Sequence, residues 1–513
     1  MVKIITGPVV GMVTKNSVRI LVEFDSNVHI DIIATEKMTP ELTQSTVSRK
    51  FFANRAKAVT VCGLKEKTEY IFSFRTNQDE AHEEENDVAN IEESIRSLIT
   101  QKTAIEEAHT YKARAITLGP HLQTIRAVIV SGNTAKDGPD LFNVIEDKIS
   151  KNPMKPLDAI FHVGGQIDGD VARIEAKKLL SEGQSQDSLC EAYRRHYRAA
   201  YNHKPLRNLM GKYGNFFLPS IKDIGKQDGG EDDQVLNNAA KRAYQEYQKQ
   251  LWCSTPFAHT EHDGHAQLFG DHLGILFLDQ LFPLLSSDAS STNYLSQSQL
   301  DQIESLFQPK AAIDIYDDTI KVDSDDPVGL FHKIKGLVVV SNEPLLLSGS
   351  HYSFTSPHTQ TWASGQSLDQ RDAFLDKCYN FKKQSDKNQV LIVTGNSMGG
   401  AGHSILKKSS VELDQFVTST VNPLQLDSRG AKSQIEGEGT SAGIKYTHFD
   451  WITDEQSFGV VDVLHAISNS RPMFEHFIIR KSTTTTDPKK SPRPNTSWQF
   501  DEEQEKSGCC SVM

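Results

Sequence analysis

Four histidines lie within one stretch of the 513-residue sequence, at His259, His262, His265 and His272. The segment from His262 to His265 reads His-Asp-Gly-His and offers imidazole and carboxylate groups of the kind that bind zinc. Neither a cysteine pair nor a His-Glu-x-x-His pattern accompanies them, and such a frame is what makes a zinc site specific. We therefore predict loop or core histidines here, and we assign no metal to this stretch.

A second candidate is Ser397, which lies in a glycine-containing turn between Thr394 and Gly400. The turn has a superficial similarity to the nucleophile elbow of serine hydrolases. Because no triad partners can be named from the sequence, we predict no serine nucleophile. The turn Asp228–Gly230 is also glycine-rich, and we interpret it as loop geometry rather than as a phosphate cradle.

The last four residues, Cys510, Ser511, Val512 and Met513, fit the pattern for prenylation, in which a terminal methionine favours a farnesyl group. Val512 suits the second aliphatic position, whereas Ser511 is tolerated at the first. The expected product is a farnesylated cysteine methyl ester at Cys510, formed after the last three residues have been removed. The neighbouring Cys509 is a candidate for palmitoylation.

The segment from Lys481 onward is rich in Thr, Ser, Pro and charged residues, which predicts a flexible tether because it cannot bury enough apolar surface to fold. One lipid chain gives only marginal membrane binding, so a second signal is needed, either at Cys509 or from Lys489, Lys490 and Arg493. We expect a prenyltransferase to modify a cytoplasmic chain, which then lies on the cytoplasmic face of a membrane. The alternative is a soluble cytosolic protein with a chance C-terminus.

Composition excludes some classes of function. The chain has 55 Lys and Arg against 67 Asp and Glu, and its net charge of −12 argues against a general nucleic-acid binder. The sequence contains no run of about 18 apolar residues, so we predict no transmembrane helix. The first residues do not have the pattern of a secretory signal. Four dispersed cysteines do not make a disulfide framework, so we expect a reducing, cytosolic environment.

The elements that must position any site begin with a small β-sandwich, predicted within residues 1–78. In Ser17–Phe24 every second residue is apolar, while Arg19 and Glu23 share the other face. The segment Glu69–Arg75 repeats this alternation, and the turn before it resembles the corner before a late strand in fibronectin-type domains.

Residues 79–112 change to an acidic composition with apolar residues at helical spacing, which predicts a helical insert or linker. Residues 113–480 alternate short apolar runs with amphipathic helical patterns. Such runs are typical of strands buried on both faces, so this segment predicts a layered α/β domain. The runs are Ala127–Val130, Ala159–Phe161, Ile275–Leu278, Leu337–Val340 and Val390–Val393.

Several segments resemble, in the right order, motifs of the PhoD-like alkaline phosphatases of the metallophosphatase superfamily. The resemblance rests on Ser131–Asn133, His162–Asp170, Leu218–Gly230, Gly395–Gly400, Gln415–Pro423 and Ser457–Asp462, and on the opening Gly7–Gly11. It extends from near residue 1 to about residue 480. It implies a metallophosphatase-like β-sandwich flanked by helices, with a small N-terminal all-β, fibronectin-like domain.

The family chemistry implied by the resemblance is phosphoester hydrolysis at two divalent cations, which polarise the phosphoryl group and supply a hydroxide. Two dications ~4 Å apart repel each other by about 16 kcal/mol at an effective dielectric of ~20, so a bridging carboxylate is close to obligatory. In this sequence Gly165 stands where the bridging Asp is expected. Asn396 and Met398 stand where the family has an Asp and a His.

Further positions depart from the family pattern. Ile221 replaces an oxygen ligand, Lys222 replaces a His, and Leu281 replaces an Arg. The polar residues that remain do not form a metal set, and the ammonium group of Lys222 is a candidate to occupy the place of a cation. These retained residues are Asn133, Gln166, Asp170 and Asp223.

We therefore predict a membrane-anchored, PhoD-like protein that is catalytically degenerate and has no cofactor. It would act as a binding or scaffold protein for an unidentified protein or a phosphorylated ligand. The alternative is an active, diverged metal-dependent phosphatase or phosphodiesterase. That enzyme would hold one divalent metal with a contribution from His403, Asp170 or Asp223.

Overall fold

The computed structural model of the chain describes most of both predicted domains. The described residues are 2–39, 43–76, 112–118, 124–133, 141–152, 156–227, 229–230, 232–252, 264–270, 272–282, 294–308, 329–346, 368–395, 400–418, 421, 437–441, 443–452, 456–464 and 471–480. Several sequence predictions lie outside them. These are the insert, apart from residue 112, the tether with Cys509 and Cys510, the residues Asn396, Ser397 and Met398, and the histidines His259 and His262.

The N-terminal part of the chain forms two antiparallel sheets that share one apolar core. The three-stranded sheet has the order β1-β2-β5, with β1 at Ile4–Val13, β2 at Ser17–Phe24 and β5 at Lys57–Cys62. The four-stranded sheet has the order β4-β3-β6-β7, with β3 at Val28–Glu36, β4 at Thr43–Phe51, β6 at Glu69–Thr76 and β7 at Ala113–Ile116. The alternating apolar residues of β2 and β6 point into this core.

The last strand of the sandwich, β7, comes from beyond the predicted insert. It pairs with β6 in antiparallel register, with Glu69 opposite Ile116 and Phe72 opposite Ala113. The domain boundary that we place at residue 113 therefore falls inside the sandwich. The sequence gives little sign of this strand, because it is only four residues long and its buried residues are alanines.

The large domain contains two mixed sheets that pack face to face around a second core. The five-stranded sheet has the order β10-β9-β8-β19-β20, from β8 (Thr124–Val130), β9 (Ala159–Val163), β10 (Gly214–Leu218), β19 (Ser457–Leu464) and β20 (Met473–Arg480). The eight-stranded sheet has the order β11-β12-β13-β14-β16-β15-β18-β17. Its strands are β11 (His265–Phe269), β12 (Leu273–Leu278), β13 (Gly336–Ser341), β14 (Gln389–Gly395), β15 (Ala401–Lys408), β16 (Val411–Thr418), β17 (Gly437–Ser441) and β18 (Ile444–Ile452).

Helices cover the outer faces of both sheets. Those on the five-stranded sheet are α1 (Leu141–Val144, continued by a π-helical turn, Ile145–Ile149), α2 (Gly169–Ser181), α3 (Gln186–Tyr201), α4 (Lys204–Met210), α5 (Ile221–Ile224) and α6 (Asp233–Tyr247, followed by a 3₁₀ turn, Lys249–Leu251). On the eight-stranded sheet lie α7 (Gln297–Leu306) and α8 (Leu368–Lys383). Ser296 caps α7 by accepting the amide of Gln299 at 3.1 Å, as its sequence predicts. None of the described helices combines the length and apolarity needed to cross a membrane.

Glu23 on β2 joins the sandwich to the helices of the large domain. Its side chain is fully buried, and its carboxylate accepts hydrogen bonds from Thr6 at 2.8 Å and from the Tyr247 hydroxyl at 2.7 Å. The guanidinium of Arg198, on α3, donates to the same carboxylate at 3.0 and 2.8 Å. On the same face of β2, Arg19 donates to the main-chain carbonyl of Gln250. Because a buried carboxylate is stable only when donors surround it, these bonds fix how the sandwich sits on α3 and α6.

We expect Glu23→Ala to lower the free energy of unfolding by about 3 kcal/mol, because it leaves the buried Tyr247 hydroxyl without its acceptor and leaves Arg198 with Glu191 as its remaining carboxylate partner. Thermal or urea denaturation of the whole chain measures this. The matched control is Lys408→Ala, which removes an exposed ion pair with Asp376 and should cost less than about 0.5 kcal/mol. Equal losses in the two variants would show that Glu23 does not hold the domains together.

Candidate functional site

The carboxyl ends of parallel strands from both sheets meet at one side of the large domain. Asn342, after β13, donates to the carbonyl oxygen of Pro219, after β10, at 2.9 Å. At the end of β14, Gly395 lies so close to the end of β9 that an added Cβ would be 2.6 Å from the carbonyl oxygen of Val163. Ligands of α/β proteins bind at the carboxyl ends of strands. We call this region the strand-end site; it comprises residues 131–133, 164–168, 219–223, 279–280, 341–343, 394–395, 418 and 457.

Asp223 is the centre of hydrogen bonding in the strand-end site. Its Oδ2 accepts from the amides of Gly165 and Ser220 at 2.9 and 2.8 Å, and from the Ser220 hydroxyl at 3.1 Å. Its Oδ1 accepts from the amides of Gln166 and Ile167 at 2.5 and 3.1 Å. Burial raises the pKa of the Asp223 carboxyl, and the four main-chain amides oppose that shift. This carboxylate therefore serves to hold the chain together.

The side chain of Gln166 also faces Asp223. In the amide orientation that gives both of its ends a partner, its nitrogen lies 3.2 and 3.1 Å from the two carboxylate oxygens, and its oxygen accepts the amide of Gly164 at 2.9 Å. A carboxylate offers about four lone-pair positions. The donors around Asp223 already use them, so this carboxylate has no free lone pair for a metal ion.

The local backbone explains why these amides converge. Gly164 and Gly165 have φ angles of +94° and +71°, in the region that favours glycine. Successive amides in such turns point toward one spot and form a concavity that binds anions. Ser220 and Asp223 form a reciprocal capping box at α5, which presents the carboxylate to this concavity. Asp223 thus occupies the place in which an external anion would otherwise bind.

Gly165 has little room for a larger side chain. The loops after β8 and β9 are joined by two main-chain bonds, from Gly132 to Gly164 at 2.9 Å and from Asn133 to Gly165 at 2.5 Å. A Cβ at Gly165 would lie 3.0 Å from the Cα of Gly132 and 3.2 Å from its nitrogen. A carboxylate side chain at this position would therefore require the loop after β8 to move.

Lys222 belongs to the strand-end site and has acidic residues around it. Burial lowers the pKa of Lys222, and the negative charges of Asp170, Asp168 and Asp223 oppose this shift. Asp170 accepts the main-chain amide of Lys226 at 2.6 Å, and Asp168 caps α2 by accepting the amide of Val171 at 3.3 Å. The ammonium of Lys222 thus places a positive charge near these carboxylates.

Around the rim of the site, several buried polar atoms have no hydrogen-bond partner among the described residues. They are Asn342 Oδ1, Thr418 Oγ1, Ser457 Oγ, Gln280 Nε2, Thr394 Oγ1 and Glu343 Oε2. Burial raises the pKa of Glu343 to about 7. An unsatisfied buried polar atom costs about 1–3 kcal/mol, so a concentration of them at strand ends indicates a surface for binding hydrogen-bonding groups.

The structure brings some of the predicted residues together and separates others. Asn133, Gly165, Gln166, Ile221, Lys222 and Asp223 all lie in the strand-end site, with Asp170 adjacent. His403 lies on β15, with its ring 4.3 Å from that of His476 on β20 and its Nε2 3.7 Å from Asp414 Oδ1 on β16. His265 is a core residue whose ring stacks on Phe216, and burial lowers its pKa to about 4.

Much of the rim consists of Asn342, Glu343, Thr418 and Ser457, none of which is predicted from the sequence. Thr418 and Ser457 fall inside segments that carry the family resemblance, but nothing in their local pattern distinguishes them from other strand residues. For Asp223 a signal existed in the Ser-x-x-Asp spacing with Ser220, which is typical of a helix cap.

A two-metal centre does not fit the residues that are present. The carboxylate of Asp223 is fully engaged, Gly165 offers no ligand, and Lys222 brings a positive charge. Among the residues that the structure describes, no group of three or more His, Cys, Asp or Glu side chains is arranged to hold a metal ion. We therefore derive no reaction step through a metal.

Together, the fold and the site define a mixed α/β protein whose large domain has two facing sheets, outer helices and a polar strand-end site. Among solved structures, that of PhoD is similar to the structure of this chain. The two align with a TM-score of 0.55 and 11% sequence identity over 92% of this chain and 89% of that chain. The protein therefore has a PhoD-like fold, which confirms this part of the resemblance. At that identity the similarity shows the fold alone.

Other comparisons add little. The sensor domain of the anti-sigma factor RsgI4 from Pseudobacteroides cellulosolvens aligns with 15% of this chain and 67% of that chain, at 24% identity and a TM-score of 0.13. A β-glucuronidase 2 from Bacteroides uniformis aligns with 94% and 60%, at 7% identity and a TM-score of 0.21. These TM-scores are too low to bear on the fold. No family model and no curated protein matches the chain.

We expect Gly165→Asp to destabilise the protein by about 2 kcal/mol more than Gly183→Asp does. Both glycines have a φ of +71°, so both variants carry the same backbone strain. A Cβ at Gly183 meets nothing within 4 Å, whereas one at Gly165 meets Gly132. Urea denaturation of the two variants gives the difference. Similar stabilities would show that the loop after β8 yields easily and that the site can accept a carboxylate there.

Proposed function

We propose that this protein binds a ligand or partner at the strand-end site without hydrolysing phosphoesters, and that a C-terminal lipid holds it at the cytoplasmic face of a membrane. The observation that carries the first part is the engagement of Asp223 by four main-chain amides and the Ser220 hydroxyl. The alternative, a diverged enzyme with one divalent metal, would need the carboxylate of Asp223, the carboxylate of Asp170 or the imidazole of His403 to be free for the cation. In this protein the carboxylate of Asp223 itself is the anion that the converging amides bind.

The close approach of Gly165 to Gly132 supports the same reading. The resemblance to PhoD-like phosphatases places the bridging carboxylate at residue 165, and an added Cβ there would be 3.0 Å from the Cα of Gly132. Without a bridging carboxylate, the repulsion between two dications stays uncompensated. We infer a degenerate catalytic centre in a domain that has kept its fold.

Support for a binding role comes from the buried polar atoms at the rim of the strand-end site. The amide oxygen of Asn342 and the hydroxyls of Thr418 and Ser457 are buried with no partner among the described residues, and Lys222 adds a positive charge nearby. Such a set suits a ligand that both donates and accepts hydrogen bonds and carries negative charge. A phosphorylated small molecule or a phosphorylated segment of a partner protein has this chemistry.

The membrane role rests on the sequence of the C-terminus. Cys510 with Ser511, Val512 and Met513 matches the prenylation pattern, and Cys509 offers a second lipid position. In the resulting domain order, a β-sandwich whose sequence is interrupted by an acidic insert precedes the PhoD-like domain, and a tether carrying the lipid follows it.

We expect the purified full chain to bind fewer than about 0.2 equivalents of divalent metal after loading with Mn, Fe, Zn or Ca and desalting, since Asp223 has no lone pair to offer. Metal analysis of a Cys509→Ser, Cys510→Ser chain avoids binding by the terminal thiols. Assays with aryl phosphate monoesters and diesters should give no hydrolysis that a chelator abolishes.

One or two metals per chain, with chelator-sensitive hydrolysis, would overturn the proposal and support an active phosphatase or phosphodiesterase. The informative variant is then Asp223→Asn, which keeps the shape of the side chain. In our proposal this variant lowers stability and leaves metal content unchanged. In an active enzyme it would abolish both metal binding and turnover, and the same test applies to Asp170 and His403.

For the lipid anchor, we expect Cys510→Ser to move the protein from the membrane fraction of eukaryotic cells to the soluble fraction, because it removes the prenyl acceptor. Cys509→Ser should weaken membrane association in part, and Cys62→Ser, at an exposed cysteine, should leave it unchanged. Mass spectrometry of the C-terminal peptide identifies the modification. Membrane association that survives Cys510→Ser would argue against the anchor.

A further inference from the structure

A cluster of cations lies on one side edge of the β-sandwich. Arg49 and Lys50 are exposed near the end of β4, and Lys57 begins β5. The strands β4 and β5 are the edge strands of their respective sheets, and the short connection between them carries Phe52. We call these four residues, Arg49, Lys50, Phe52 and Lys57, the cationic edge.

The charges of the cationic edge have no carboxylate partner among the described residues. Arg49 donates to the carbonyl of Ser48 and Lys57 to the carbonyl of Lys50, each at 2.7 Å. Burial lowers the pKa of Lys57, and the positive charge of Arg49 lowers it further, so the cations repel one another.

Acidic residues close to this edge are already engaged. Asp31 on the neighbouring strand β3 pairs with Arg75 at 3.5 Å, and Asp187 pairs with Arg55 at 2.6 Å. Mutual repulsion at this edge is unfavourable for the isolated protein, and an external anionic surface would relieve it.

Phe52 gives the cationic edge an apolar tip. Its side chain is 56% exposed, and the Nζ of Lys50 lies 5.9 Å from the centre of its ring. An exposed aromatic ring flanked by lysine and arginine is typical of surfaces that rest on membranes, where the ring enters the headgroup region and the cations contact anionic lipid.

We infer that the cationic edge docks onto anionic phospholipid at the membrane that the C-terminal lipid targets, an inference that rests on the proposed membrane attachment. The lipid would supply hydrophobic anchoring, and the cationic edge would add an electrostatic contact at a second, distant point of the chain. Two such signals together give stable attachment where one gives only reversible binding.

The test uses the full chain with Cys509→Ser and Cys510→Ser, which carries no lipid, so the result is independent of prenylation. Its partition onto vesicles of phosphatidylcholine, with or without phosphatidylserine, is measured by sedimentation. We expect binding only with phosphatidylserine and a decrease as salt is raised. Each cation near an anionic surface contributes about fivefold, so replacing Arg49, Lys50 and Lys57 by Gln should reduce partition on the order of 100-fold.

The matched control replaces Lys333, Lys383 and Lys387 by Gln on the large domain, with the same change in net charge and similar exposure. We expect that control to bind as the parent does, and Phe52→Ser to bind more weakly. Equal loss in both triple variants, or no binding of the parent, would overturn the inference. Binding to an acidic peptide such as poly-glutamate but not to vesicles would also overturn it, in favour of a protein partner.

These outcomes are separate from failure of the proposed function. If the cationic edge binds vesicles and mass spectrometry finds Cys510 unmodified in cells, the edge holds and the lipid anchor fails. If vesicle binding is absent and Cys510→Ser becomes soluble, the anchor holds and the edge inference fails.

Discussion

The carboxylate of Asp223 is the point at which three strand ends are joined. It accepts hydrogen bonds from the amides of Gly165 and Gln166 in the loop after β9, and it lies in the capped turn after β10. The loop after β9 is in turn bonded to Gly132 and Asn133 after β8, through the carbonyls of Gly164 and Gly165. A buried negative charge is stable only with such a complement of donors. The order of this side of the domain therefore depends on one buried carboxylate.

The strand-end site thus has two different parts. Its floor is built from Asp223, Gly164 and Gly165. The carboxylate there is engaged by main-chain amides, and an added Cβ would be 2.6 Å from Ser220 at Gly164 and 3.0 Å from Gly132 at Gly165. Its rim, with Asn342 and Thr418, carries buried polar atoms that lack partners among the described residues. A rigid floor under an unsatisfied rim is an arrangement that favours recognition, because the binding groups are held in place before a ligand arrives. The bonds of Glu23 extend this rigidity to the sandwich.

Much of the fold could be predicted from local patterns. The apolar runs at 127–130, 337–340 and 390–393 correspond to β8, β13 and β14, and the alternation in Ser17–Phe24 corresponds to β2. The site was less predictable because its bonds join distant residues: Asp223 and Gly165 are 58 positions apart, and no periodicity links them. The sequence indicated where the chain departs from the motifs it resembles. It could not indicate that the remaining carboxylate fills an anion-binding turn.

The pairing of β6 with β7 has a consequence for residues 77–111 between them. Both flanking strands are held in one sheet, with Phe72 opposite Ala113, so the two ends of this segment are tied at the same edge of the sandwich. Closing a loop that is twice as long costs only about 0.6 kcal/mol more in chain entropy. The segment can therefore lengthen, shorten or change composition over generations at little cost to the fold, and a protease that cuts within it would leave two fragments still bound to each other.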